Sequence, residues 1–178
     1  LMYMSETDGY SEGLIYDAPA CAHRGYRVYL PGRETYDDFI EILDELVYYK
    51  YNRIMVEIGG AMEYKKHPRI NEKWVEFSQY VLGEVKRADE IQLGQTWAKN
   101  SLHAGNGNGG FLTQDECKRL AHECEIRGLE LIPECPTLSH TDYICNAYPE
   151  IAERQNDPYP DTYCPSNPRS YEITFDIL

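Results

Sequence analysis

The feature that most constrains the fold is an alternation of short apolar runs with longer amphipathic segments. Between the runs, apolar residues recur at helical spacing, as Phe39, Leu43 and Leu46 do. Because helical crossovers join parallel strands, this alternation predicts an α/β protein with a parallel sheet. The runs typical of strands are GYRVYL (25–30), RIMVEI (53–58) and LELIPE (129–134).

Two architectures use this alternation of strands and helices: a doubly wound sheet and an eight-stranded barrel. No strand is followed directly by the glycine pattern of a dinucleotide site. HAGNGNGG (103–110) follows a long loop, so phosphate binding is not expected there. Three strands are also too few to close a barrel. Helices are predicted around Trp74–Lys86, over Thr113–Arg127 and onward from the Asn167 cap, with a short turn of helix near Tyr148–Arg154.

The acidic composition argues against a nucleic-acid partner. The 178 residues carry a net charge of −13 with a pI near 4.7, whereas phosphate binding needs a basic surface. No transmembrane stretch and no signal peptide is visible, which favours a cytoplasmic location without fixing the compartment. Leu1 indicates a processed or excised segment. Residues 1–21 are predicted to be an irregular lead-in, and residues 22–178 one domain.

Several stretches occur in the order and spacing of a known family. They carry an Arg-Gly strand start, a Thr-Gln-Asp-Glu helix start, an Ile-Pro-Glu strand, a Tyr-Pro-Glu turn and a Pro-x-Asn-Pro turn. In these features the chain resembles the catalytic domain of the family 20 glycoside hydrolases, the β-N-acetylhexosaminidases. The stretches are AHRGYRV (22–28), GGFLTQDECKRLAHECEIRGLELIPE (109–134), SHTDYICNAYPEI (139–151) and CPSNPRSYE (164–172).

The resemblance implies a (β/α)8 TIM barrel, of which this chain supplies about the first three strand–helix units. It implies removal of terminal N-acetylhexosamine, or a related sugar, by substrate-assisted retention. The 2-acetamido oxygen attacks the anomeric carbon, an Asp holds that amide and a Glu protonates the leaving oxygen. In the family this Asp-Glu pair follows the fourth strand, so it is expected beyond Leu178.

Further expectations follow from the same resemblance. The 178-residue piece alone should be inactive, and as an incomplete barrel it should expose strand edges and self-associate. The expected partner is a carbohydrate substrate, with no cofactor, no metal and no membrane. The resemblance also implies sugar-site roles for Arg24 and His140, the latter supporting the missing acid. Glu134 ends the third strand at a family position, and Trp97 is the candidate aromatic platform for a pyranose ring.

Two loops depart from the family pattern and motivate a rival hypothesis. Gly59-Gly60-Ala61 stands where the family carries an acidic pair, with Glu57 and Glu63 as alternative carboxylates. In ECPTLSH (134–140), Pro136 and Ser139 replace the Asp and Gly of the family loop. The rival is a non-catalytic carbohydrate-binding barrel on the same scaffold.

The adjacent Asp115 and Glu116 resemble a pair of working acids, but their place in the chain indicates a local role. Thr113 and Glu116 have the Thr-x-x-Glu spacing of a capping box. Asp115 adds negative charge at the positive end of the helix dipole. We therefore predict that the pair caps the helix that leads into the third strand.

Overall fold

The three predicted strands form one parallel sheet. The computed structural model describes residue 14 and residues 16–90 and 103–178. Both neighbouring strand pairs are parallel, and each strand differs from its predicted range by a single terminal residue. The parallel α/β fold is thus confirmed, whereas the described residues do not form a closed barrel. In spatial order the strands are β1 (Gly25–Tyr29), β2 (Arg53–Glu57) and β3 (Glu130–Glu134).

Helices connect the strands, as the periodicity predicts. The second helix is longer than predicted because it begins at Pro68. Proline suits the first helical position, since the N–H that it lacks has no partner within the helix there. The last helix begins at its predicted cap, where the Asn167 side chain accepts from the Arg169 N–H at 3.1 Å. No helix in the described ranges is long and apolar enough to cross a membrane. The helices are α1 (Tyr36–Tyr48), α2 (Pro68–Glu90), α3 (Gln114–Ile126), α4 (Asp142–Cys145) and α5 (Pro168–Ile177).

The short turn of helix predicted near Tyr148–Arg154 is confirmed, as a 3-10 turn at Pro149–Ile151. Ala152 then becomes extended and bridges Tyr163 in antiparallel fashion. This bridge supplies backbone partners that a helix would otherwise provide, including the 2.9 Å bond from Glu153 N to Thr162 O. A separate short turn of α-helix, α4, precedes the 3-10 turn.

Alternation along the strands sends their side chains to two faces of different character. Ile54 and Val56 are buried in a cluster with Leu43 of α1 and Leu120 of α3, so these helices cover one face. The other face carries Arg27, Met55 and Ile132 in one register row, and Met55 is 37% exposed. Within the described residues, β1 and β3 each pair on one side only. The predicted self-association stays a prediction.

A second apolar cluster holds α2 against the chain that follows β3. Within it, Trp74 is 2% exposed and packs with Phe77 at a ring-centroid distance of 6.4 Å. Tyr143 and Ile144 of α4 and Ile173 of α5 complete the cluster. This packing fixes the loop after β3 relative to the carboxyl end of the sheet.

The capping box at the start of α3 is confirmed. Glu116 Oε2 accepts from the Thr113 backbone N–H at 2.6 Å, and the Glu116 N–H donates to Thr113 Oγ1 at 3.2 Å. Arg33 also binds the carboxylate through two nitrogens, at 2.7 and 2.9 Å. The Arg33 hydrogen bonds, followed by those from Thr113, lower the pKa of Glu116 from 4.5 to about 2.

Glu116→Gln is expected to lower the free energy of unfolding by about 1 kcal/mol at neutral pH, since it weakens the cap. A carboxyl whose folded pKa is depressed contributes stability above its unfolded pKa, and this stability is lost as the pH falls through the folded value. The difference between wild type and Glu116→Gln should therefore shrink between pH 4.5 and about 2, measured by urea denaturation across a pH series. Asp115→Asn is the control, since its exposed carboxylate should contribute little. A difference independent of pH would contradict the assignment.

Candidate functional site

Three polar side chains lie side by side where the strands end. Tyr29, Glu57 and Glu134 are the last residues of β1, β2 and β3, and the register aligns them in one row. Because the strands are parallel, all three side chains stand at the carboxyl edge of the sheet, on the same face. This edge is where α/β folds place their binding and catalytic groups.

Arg27 joins two of these carboxylates. It lies two residues before Tyr29, so its side chain points to the same face of the sheet. Its Nε donates to Glu134 Oε2 at 2.6 Å and its Nη2 to Glu134 Oε1 at 3.2 Å, and Nη2 also donates to Glu57. The Glu57 side chain is only 2% exposed, whereas that of Arg27 is 42% exposed. The guanidinium thus compensates a buried carboxylate while staying accessible from the open face.

Two histidines from separate loops stack over this network. The rings of His103 and His140 lie 4.0 Å apart between centroids and are inclined by 9°. His103 Nδ1 lies 2.9 Å from Glu57 Oε1, and the Tyr29 ring is 5.4 Å from the His103 ring. Both histidines adopt positive φ, 50° at His103 and 53° at His140. Such backbone conformations cost energy in residues other than glycine and concentrate at functional sites.

The glycine- and asparagine-rich loop that carries His103 is fixed by both of its neighbours. The Gly107 N–H donates to Leu30 O at 2.8 Å, just beyond β1, and Ser78 Oγ of α2 donates to Ala104 O at 2.6 Å. Gly107 has φ +64°, and a Cβ there would lie 2.6 Å from the Ala61 Cβ. The loop therefore needs glycine at this position to pass over the carboxyl end of β2.

A further carboxyl is buried beside the row. Asp142, the first residue of α4, is 1% exposed, and its Oδ2 has no hydrogen-bond partner in the described part of the chain. Burial raises the pKa of Asp142 well above 3.8, and the charge of Glu57 raises it further. The protonated acid is thus favoured, and its O–H is a potential donor at the edge of the site.

The structure brings two of the four predicted site residues together. Glu134 and His140 lie in the cluster, whereas Trp97 falls outside the described residues. Arg24 precedes β1, at the amino edge of the sheet, and its guanidinium donates to Lys50 O and Cys21 O, both at 2.6 Å. It therefore does not join the cluster, and the arginine at the site is Arg27.

The structure also decides between the two alternative carboxylates after the second strand. Glu57 faces the site, whereas Glu63 Oε2 accepts from the Gln114 backbone N–H at 3.1 Å, at the start of α3. In residues 16–90 and 103–178, no group of His, Cys, Asp or Glu side chains could hold a metal ion. Within the cluster, Arg27 is the donor and the carboxylates of Glu57 and Glu134 are the acceptors.

Comparison of the sequence with known proteins identifies a relative among glycosidases. A β-hexosaminidase from Akkermansia muciniphila is 25% identical over 155 residues, which cover 82% of this chain and 26% of that protein. This chain therefore spans about a quarter of the length of the curated relative it matches. No protein-family model matches the chain.

Comparison with solved structures finds the same fold in β-N-acetylhexosaminidases. The enzyme from Bacteroides fragilis NCTC 9343 gives a TM-score of 0.61 at 17% identity, over 88% of this chain and 28% of that one. A mutant Streptomyces plicatus β-hexosaminidase, solved in complex with its product GlcNAc, gives 0.64 at 19% identity, over 90% and 30%. The chain shares its α/β fold with part of these proteins, which confirms the resemblance that its sequence stretches indicate.

Proposed function

We propose that this chain belongs to a glycoside hydrolase of the β-N-acetylhexosaminidase type. It would supply about the first three strand–helix units of a (β/α)8 barrel. One observation carries the proposal: Glu57 and Glu134 stand in one row at the carboxyl edge of a parallel sheet, bridged by Arg27. The active sites of such barrels are built at this edge. The complex of the Streptomyces plicatus neighbour with GlcNAc supports an N-acetylhexosamine as the ligand.

In the proposed reaction this chain binds the sugar, and the reacting acid comes from elsewhere in the protein. The substrate 2-acetamido oxygen displaces the leaving group, which is protonated by a Glu that we place beyond Leu178 together with the Asp that holds the amide. Glu134, oriented by Arg27, offers carboxylate oxygens to sugar hydroxyls. His140 lies over the same row and would support the acid. The sugar contact by Trp97 remains part of the proposal, whereas the one expected of Arg24 does not fit a site at the carboxyl ends of the strands, because Arg24 precedes β1 and binds Lys50 O and Cys21 O.

A non-catalytic carbohydrate-binding barrel is the second candidate. The observation that favours it is the Gly59-Gly60-Ala61 turn after β2, all three residues of which are buried. The acidic pair that the family carries in this loop is absent, and Pro136 and Ser139 alter the next loop in the same way. Such a protein would bind the same sugars without turning them over.

Hydrolysis of an aryl N-acetyl-β-glucosaminide by the protein that contains this chain tests both candidates. Glu134→Gln is expected to reduce kcat/KM by about 10- to 100-fold, because it removes a charged hydrogen-bond acceptor from the sugar site. Glu130→Gln is the matched control. It changes the same strand at the opposite edge of the sheet, where Glu130 pairs with Arg53, and it should leave kcat/KM within about twofold.

The outcomes separate the candidates. Turnover that falls in Glu134→Gln but not in Glu130→Gln supports the hydrolase. Binding of N-acetylglucosamine without any turnover by the wild type favours the binding protein. The absence of both binding and turnover would overturn both proposals.

A further inference from the structure

We propose that His103 contacts the bound sugar directly and that Glu57 is its positioning residue. This inference rests on the proposed function for the identity of the sugar. It goes further by assigning the contact to a loop residue that lies outside every stretch carrying the family resemblance. The juxtaposition behind it is His103 held between the Glu57 carboxylate and the His140 ring.

The loop that carries His103 packs against the turn after β2, Gly59–Ala61, which has no large side chain. Gly59 has φ +38°, and a Cβ built there would lie 2.9 Å from Asn106 Nδ2 and 3.8 Å from Glu57 Oε1. A side chain at position 59 would therefore collide with the loop that carries His103. Glycine at position 59 offers no polar side chain, and its small size lets the His103 loop pack against the turn. The polar side chain next to Glu57 at the end of β2 is therefore His103, which comes from that loop.

The partners of Glu57 determine which proton His103 carries. Arg27 has only N–H donors, so the carboxylate it binds presents lone pairs to its other neighbour. The 2.9 Å contact is therefore a hydrogen bond from His103 Nδ1–H to Glu57 Oε1. In the neutral imidazole this leaves Nε2 as an acceptor, on the opposite side of the ring from Glu57. An acceptor of this kind is suited to a sugar hydroxyl.

The packing holds the His103 ring ready for a ligand. Its plane is set by the parallel His140 ring on one side and by contact with Tyr29, and its side chain retains 15% exposure. The φ of 50° at His103 is a strained backbone conformation that the surrounding loop maintains. A residue held in one orientation loses little further entropy when a ligand binds, which favours affinity.

The first test is kinetic and uses the protein that contains this chain. His103→Phe retains an aromatic ring but has no Nε2 acceptor. It is expected to raise KM for the aryl N-acetyl-β-glucosaminide, and the Kd for free N-acetylglucosamine measured by calorimetry, by about tenfold, with a smaller change in kcat. His122→Phe is the control, because His122 is an exposed residue of α3 and should change neither constant.

The second test measures the tautomer of His103, which reports on its contact with Glu57, in the absence of sugar. In Glu57→Gln the amide oxygen is expected to turn toward the donor Arg27, so the amide NH₂ faces His103 Nδ1. The proton of His103 should then move to Nε2, and 15N-edited NMR spectra of the imidazole nitrogens distinguish the two tautomers. A carboxylate that only supported the fold would leave the His103 tautomer unchanged.

These results separate this inference from the proposed function. Wild-type turnover with an unchanged KM in His103→Phe overturns the sugar contact and leaves the hydrolase intact. An unchanged tautomer in Glu57→Gln overturns the positioning role. A wild-type protein that neither binds nor hydrolyses the sugar overturns the proposed function and this inference together.

Discussion

Replacing Arg27 with methionine is expected to destabilise the protein by about 2–4 kcal/mol. The change removes the guanidinium that binds Glu57, whose side chain is 2% exposed, and among the described residues leaves His103 as the remaining side-chain partner of that carboxylate. A buried charge that loses its partner costs far more than the pair contributes in net terms. The measurement is urea denaturation of the two proteins at neutral pH, with the unfolding free energy extrapolated to water.

The sheet contains its own control for this effect. Arg53 and Glu130 form a similar pair across β2 and β3 at the amino edge, but the side chains are 32% and 55% exposed. Arg53→Met should therefore cost less than about 1 kcal/mol. Adding Glu57→Gln to Arg27→Met should recover part of the lost stability, because no unpaired charge then remains. Equal losses in Arg27→Met and Arg53→Met would refute the argument from burial.

The parts of the fold that the sequence predicts are those set by local periodicity. The three strands and the cap of α3 follow from neighbouring residues, and the Thr113–Glu116 box forms as its spacing requires. The short turn at Pro149–Ile151 is predicted as well, but the bridge that follows it could not be predicted in the same way. It joins Ala152 and Tyr163, which are separated by a loop.

The residues of the candidate site also differ in whether the sequence carries a local signal for them. Glu134 and His140 can be predicted because they lie within matched family stretches at and after the end of the third strand. The Arg-Gly motif favours Arg24, yet a residue before a strand lies at its amino edge, as strand direction alone indicates. Arg27 has a usable signal, since alternation puts it on the same face as Tyr29. His103 has none, because its contact with Glu57 spans 46 residues and depends on positive φ in the loop.

Gly60→Ala is expected to destabilise the protein by about 3 kcal/mol or more, the second large effect that the structure implies. A Cβ at position 60 would lie 2.3 Å from Trp74 Cγ and 2.6 Å from Trp74 Cβ. Trp74 has no room to move aside, because it is 2% exposed and packed within its apolar cluster. The turn is also held, since Asn71 Nδ2 of the same helix donates to Gly60 O at 3.1 Å. Chemical denaturation measures the loss.

The chain offers a glycine-to-alanine control of opposite sign. Gly83 lies within α2 and is exposed, and a Cβ added there would meet no atom within 4 Å. Gly83→Ala should therefore stabilise the protein by about 0.5–1 kcal/mol, since alanine favours the helix and restricts the unfolded chain. If both substitutions shifted stability in the same direction, backbone preference rather than the contact with Trp74 would explain Gly60. Because Gly60 follows Glu57 by three residues, its close approach to Trp74 also holds the turn after β2 against α2.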